Sequence, residues 1–379
     1  MLRFHLPARR SAVAVFAALT VATVAQAWQY QVIGRFGTTA ANGENPLGSL
    51  VVANDGFLYG TTYKGGAQGI GTIYRVRPGT LRTVASFRDS LGKESWSSLL
   101  LLNDGSLLGT AAQGGVNGKG TLFRYSPGAT LTRVASFVGP NGNAPTAAPI
   151  AGPDGVYYGT TREGGLYDKG TVYRATLSGA VSVIYSFSEE EGENPASSLV
   201  VGPDGALYGT TAKGGLFDKG TVFRISTSGV HRVLHSFSGD GADGESPFAE
   251  LIVGADGAFY GTTIFGGTSG GGTIFRIDSE GDHSTLWSFE GSDGEHPHGG
   301  LLLASDGAFY GTTRNGASDD LGTVFRFTAD EGVQTLVVFS GGNGALPMST
   351  LVQTADGSIY GNTSEGGSGN KGLIFRLRP

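Results

Sequence analysis

The chain has 379 residues, 66 of them glycine, no cysteine, and a formal charge of −6. Without cysteine there are no disulfides and no thiolate metal sites, so stability must come from packing. An acidic chain repels a phosphate backbone, which argues against nucleic acid as a partner.

The first ten residues carry Arg3, Arg9 and Arg10, an apolar run covers residues 12–24, and Ala25-Gln26-Ala27 supplies a small-x-small cleavage site. That run is too short to span a bilayer, so residues 1–27 read as a secretory signal peptide. Arg9-Arg10 is only a weak twin-arginine signal, and general secretion is the favoured route. Removing these 27 residues and their three arginines leaves 352 residues with 23 basic and 32 acidic side chains, a charge near −9. No later stretch is long and apolar enough to form a spanning helix. The chain stops inside its last repeat, so no C-terminal anchor is expected, and the expected product is a secreted or periplasmic monomer.

Residues 28–379 form one predicted domain built from seven repeats. An Asp-Gly pair begins at Asp55, Asp104, Asp154, Asp204, Asp256, Asp306 and Asp356, at spacings of 49, 50, 50, 52, 50 and 50 residues. A period near fifty is the first thing such a sequence must be read by. Within a unit the hydrophobic period is two. Residues 198–201 read as a strand (a), and Asp204-Gly205 closes a hairpin in which both residues tolerate positive φ. Residues 206–211 form strand b, a glycine-rich loop follows, residues 221–226 form strand c, and 230–237 form strand d. Four antiparallel strands per fifty residues describe a propeller blade.

Closure supports the same architecture. The chain ends in a strand c, Leu373-Ile374-Phe375-Arg376-Leu377, while residues 30–36 form an orphan strand before the first repeat. Phe36 aligns with the strand-d residues Phe87, Phe137, Phe187, Phe237, Phe289 and Phe339. The predicted fold is therefore all-β, a seven-bladed β-propeller whose N-terminal strand completes the last blade. An open β-solenoid is the rival.

The motif Asp-Gly-x-x-Tyr-Gly-Thr-Thr-x-x-Gly-Gly, then Gly-Thr-x-Phe-Arg and Ser-Phe, resembles the GloVer tandem repeat of exported bacterial proteins. The resemblance covers residues 37–378. It implies export and a repeat architecture, and it brings no established activity, cofactor or catalytic residue. Members of that family often carry a sorting anchor, from which this sequence departs.

Features present in all seven units read as structural. The arginine after the strand-c aromatic, from Arg75 to Arg376, is expected to satisfy carbonyls or the hairpin Asp between blades. The Thr-Thr pair of strand b is expected to bond locally. Binding residues are sought where units differ, on the face that collects the long d–a connections and b–c loops. Its d–a segments carry Glu44, Glu94, Glu193, Glu245 and Glu295. Two b–c loops share Tyr167-Asp168-Lys169 and Phe217-Asp218-Lys219, an aromatic face beside charged groups, as sugar recognition uses. Trp96 and Phe248 break the pattern near the same mouth and offer further stacking faces. Glu250 stands where other units have Ser, Ala, Gly or Thr, and with Glu295 it is the best candidate for catalysis. His296 and His298 could join them around a divalent metal, although a His-Pro-His spacing is a weak signal. No cofactor is predicted. The sequence favours a non-catalytic propeller that binds an extracellular carbohydrate or cell-surface polymer. A carbohydrate-active hydrolase or lyase and a protein-interaction scaffold are the alternatives.

Overall fold

The computed structural model describes residues 28–39 and 42–379; the predicted signal peptide lies outside the described residues. They form seven four-stranded antiparallel sheets and two short ribbons, with no helix among them. In blade four the strands are Val200–Val201, Leu207–Thr211, Thr221–Ile225 and His231–Ser236, paired in the order a-b-c-d. Strand a is shorter than the sequence suggests, with only two ladder pairs. The seventh sheet takes its outer strand from the other end of the chain: Gln29–Arg35 pairs antiparallel with Leu373–Arg378, Gln29 opposite Arg378. The ring is a seven-bladed β-propeller closed by its first strand.

The motif residues divide the work of holding this ring. Each hairpin Asp accepts a hydrogen bond from the amide two residues on, as Asp204 does from Ala206. Only the glycine takes positive φ (Gly205, +75°), so the turn is built with one left-handed residue rather than two. Asp204 also accepts from Tyr208 at 3.0 Å and pairs with Arg224 at 2.6 Å. In five blades the repeated arginine pairs with its own hairpin Asp rather than bridging blades, while Arg174 bonds Ser182 and Arg376 bonds Gln31. Strand-b glycine is required by close approach, since a Cβ on Gly209 would lie 2.7 Å from the Phe223 ring.

The blades are joined by two repeated contacts. The strand-d Phe of one blade meets the strand-c aromatic of the next, as in Phe187–Phe223 at 5.1 Å and Phe237–Phe275 at 5.2 Å. Phe36 does the same for Tyr74 at 4.9 Å, carrying the contact across the closure. Such pairs add about 0.5–1.5 kcal/mol each beyond burial. The first threonine of each Thr-Thr pair then donates to a backbone carbonyl of the following blade, as Thr61 does to Ser97 and Thr160 to Ser197, each at 2.8 Å. Asn362 replaces it in blade seven and reaches Gly48 of blade one at 2.9 Å. The second threonine bonds within its own blade, as Thr211 does with Thr221 and the Lys213 carbonyl. The first is an inter-blade link that periodicity alone does not reveal.

Every strand d also carries a bulge. Ile33, Val84, Val134, Ile184, Leu234, Leu286 and Leu336 are the residues skipped in the c–d registers. A bulge sharpens the twist of the outer strand, and the repeated apolar side chain there is turned toward the neighbouring blade; Ile33 is buried in the cluster that includes Tyr74.

Candidate functional site

The d–a connections and b–c loops do share one face, because short bridges tie them together in all seven units. Glu193 pairs with Lys213 and Asn143 with Glu163, while blades one and five extend the bridge into ribbons, Gly43–Glu44 with Lys64–Gly65 and Gly244–Glu245 with Phe265–Gly266. The residue after each bridge is left-handed: Asn45, Glu94, Ala144, Asn194, Ser246, His296 and Leu346. His296 therefore occupies a position every blade must fill, and Glu94 aligns with it rather than with Glu44.

The acidic residues of this face are dispersed and mostly paired. Lys371 bonds Glu44 at 2.7 Å, Lys169 bonds Glu193 at 2.6 Å and Lys219 bonds Glu245 at 2.8 Å. Each lysine comes from the b–c loop of the preceding blade, so these pairs clamp neighbouring loops. Glu94 accepts from Tyr63 and Gln113. Glu295 faces Gly271, where those other blades place the lysine, and so lacks that partner.

The central channel opens on the same face. Its rim is one residue from each blade: Leu47, Trp96, Thr146, Ala196, Phe248, His298 and Met348, around a cavity of about 70 Å³. Trp96 packs edge-on against Tyr63 at 5.6 Å, and Phe248 against His298 at 5.7 Å. Burial lowers the His298 pKa to about 4, assisted by the nearby charges of Arg314 and His296. A cationic guanidinium beside that imidazole opposes a bound metal ion.

Glu250 lies one layer deeper and is the one carboxylate among the channel-lining residues. Its side chain passes Gly300 of blade six, whose missing Cβ leaves the room, and accepts from Thr350 of blade seven at 2.6 Å. Thr350 in turn accepts from the Gly300 amide and its own amide donates to Ser49. The pairing of Glu250 with Gly299-Gly300 is thus steric as well as chemical. Desolvation pushes the Glu250 carboxyl above its ordinary 4.5, outweighing the Thr350 hydrogen bond. The folded state then holds a proton that the unfolded chain has released, so this group's contribution to stability falls as pH rises from 4.5 through its raised folded value. We expect Glu250→Gln to melt above the parent at neutral pH and to lose that advantage near pH 4. A difference that stays constant across a pH series of melting curves would refute this.

Two b–c loops stand out by exposure. Leu166 and Tyr167 are 76% and 57% exposed, Leu216 and Phe217 are 77% and 50%. Asp168 and Asp218 sit behind them in left-handed conformations and accept from the amides of Gly164 and Gly214, the same loop-closing bond that Asp320 and Asn370 make in blades six and seven. Leu216 and Phe217 border an open cleft with Glu189, Glu190 and Glu193.

Sequence reasoning passed over Asp243. Its carboxylate lies 3.3 Å from His235 Nε2 and 4.0 Å from His283 Nε2, on the outer side of the ring between blades four and five. The signal available was the pair of strand-d histidines, one in each of two adjacent blades.

A closed ring of seven four-stranded blades, with one elaborated face and a narrow channel, places the molecule among the seven-bladed β-propellers. A family model described as the Gloeobacter/Verrucomicrobia repeat matches residues 18–201 and 145–375. The chain belongs to that repeat family. No curated protein matches it. Among solved structures, the extracellular domain of a candidate hybrid two-component system from B. thetaiotaomicron superposes with a TM-score of 0.60 at 13% identity, over 92% of this chain and 41% of that one. A Bacteroides thetaiotaomicron protein of unknown function gives 0.52 at 14% identity, over 93% and 76%. A candidate 6-phosphogluconolactonase from Bacteroides uniformis gives 0.51 at 17%, over 78% and 85%. The chain spans about two fifths of the length of the two-component-system domain. Likeness at these identities establishes the fold alone.

Proposed function

We propose that this chain is an exported, non-catalytic binding propeller that recognises an extracellular carbohydrate or cell-surface polymer through the b–c loops of blades three and four. The observation that carries this reading is the pair of solvent-facing tips, Leu166-Tyr167 and Leu216-Phe217, on adjacent blades. A planar aromatic face held out by a fixed loop can stack on the apolar side of a sugar ring, and Glu189 and Glu190 beside Phe217 offer acceptors for hydroxyls. Two such tips, one blade apart, suit a polymer better than a single small ligand. The signal-peptide pattern of residues 1–27 supports export, and the extracellular origin of the first structural neighbour agrees with it. A two-carboxylate glycosidase needs a facing pair roughly 5–9.5 Å apart; Glu250 stands alone in the channel lining.

The test is migration in native gels cast with a panel of plant, algal and bacterial polysaccharides, alongside an assay for new reducing ends. At least one polymer should retard the protein, with Tyr167→Ala and Phe217→Ala each weakening retardation severalfold and Glu250→Gln leaving it unchanged. Reducing ends released by the parent but not by Glu250→Gln would replace this reading with catalysis. Retardation by none of the polymers would shift the reading to a protein partner.

A further inference from the structure

We propose that His235, Asp243 and His283 form a binding site for a divalent transition metal ion, with zinc as its representative, on the outer side of the ring between blades four and five. Their ligand atoms lie within 4.8 Å of one another, and two imidazoles with one carboxylate are a donor set that zinc, nickel and copper accept.

The local architecture explains how the three arrive together. His235 lies in strand d of blade four, His283 in strand d of blade five, and Asp243 in the connection between those blades. The same connection elsewhere carries an acid that serves strand d structurally, as Asp293 accepts from Trp287 Nε1 at 2.8 Å. Blades four and five differ in presenting two histidines to one carboxylate. The rings stack at 3.9 Å and 9°. His283 Nε2 is buried with no hydrogen-bond partner, a state that ordinarily costs free energy and that an ion would relieve.

The supporting shell is already in place. Asp243 accepts from the Ser238 amide at 2.8 Å and the Gly244 amide at 2.9 Å, which aims the carboxylate. Burial pushes its pKa up, but bonds from His235 and these amides more than offset that and hold it at about 2. His283 is lowered to about 4, by burial first and by His235 second. An ionised carboxylate and neutral imidazoles are the forms that ligate.

Tetrahedral zinc with bonds of about 2.0–2.2 Å separates its ligand atoms by roughly 3.3–3.5 Å. His235 and Asp243 already stand at 3.3 Å, while His283 must move inward from 4.0 Å. The two rings must also tilt out of parallel so that both lone pairs meet one ion. Three protein ligands leave the fourth position to water, and because the histidines come from two blades the bound ion would clip those blades together.

Titration of the untagged, chelator-stripped protein with zinc chloride at neutral pH tests the assignment. One saturable ion per chain is expected, with a raised melting temperature. His283→Ala and His235→Ala should each bind at least about tenfold more weakly, and His231→Gln should bind as the parent does. Cobalt should give a visible absorption band that disappears in His283→Ala. His283→Gln serves if the alanine variant does not fold. Absence of saturable zinc binding in the parent, or unchanged binding in the folded His283 variant, would overturn the proposal.

Discussion

A chain that begins at Gly37 is expected to lose the single cooperative unfolding transition of the intact ring and to aggregate on purification. The missing strand supplies every outer-strand pair of blade seven. Its loss uncovers Phe375, on which Tyr30 stacks at 5.6 Å, and Tyr74, which Phe36 covers at 4.9 Å. It also removes Trp28 from Tyr310 and the Tyr30 hydroxyl from the Asn343 carbonyl. Truncating one buried phenylalanine costs about 3–5 kcal/mol, and whole domains hold only about 5–15 kcal/mol. Removing Ile33 and Phe36 together with a ladder of hydrogen bonds therefore exceeds what the fold can spare. The strand Leu373–Arg378 would become an unpaired apolar edge, the kind that pairs with other chains. Circular dichroism melting and size-exclusion chromatography report both effects. A truncated protein that stays monomeric and melts like its parent would show that the first strand is dispensable.

The second large effect contrasts two phenylalanines six residues apart. Phe223 is fully buried against Phe187, Leu199 and Tyr158, whereas Phe217 is half exposed at a loop tip. Phe223→Ala should destabilise by about 3–5 kcal/mol, because the cavity lies between two sheets that cannot collapse onto it. Phe217→Ala should change stability by no more than about 0.5 kcal/mol while weakening polymer retardation. Denaturant unfolding of both variants separates the roles. A Phe217→Ala protein as destabilised as Phe223→Ala would mean that the loop aromatic is packed core, and would remove the basis for the binding reading.

The architecture was legible because the period is regular and each unit spells its own turn. The alignment of Phe36 with six strand-d phenylalanines was enough to place the first strand in the last blade, and the Phe36–Gly372 amide bond repeats the Phe87–Gly71 and Phe237–Gly220 bonds. What the pattern concealed was direction. Thr210 and Thr211 are adjacent and chemically alike, yet one reaches the Ala249 carbonyl of the next blade and the other stays at home. The strand-d bulge was hidden because Val233 and Leu234 are both apolar, so nothing in the alternation marks the skipped residue. On the loop-bearing face the sequence shows carboxylates without their partners. Lys169, Lys219 and Lys371 each precede the Gly of strand c, and their acids stand in the next connection, 24, 26 and 327 residues away by position. Only the ring makes the last of these a neighbour. Glu250 stood out by composition alone, whereas its reach over Gly300 to Thr350 needed three blades in place.

The register of the closing strand also sets how the ring yields to a load. Gln29 lies opposite Arg378 in an antiparallel pair, so a pull applied at these two residues acts on the same end of the seam. Antiparallel bonds run perpendicular to their strands, and such a pull stretches them along their own axis, one pair after another. The seam therefore unzips rather than shears. Tension between these ends would peel blade seven open while leaving the other six sheets intact, whereas tension applied across two distant blades would meet the full set of inter-blade contacts at once.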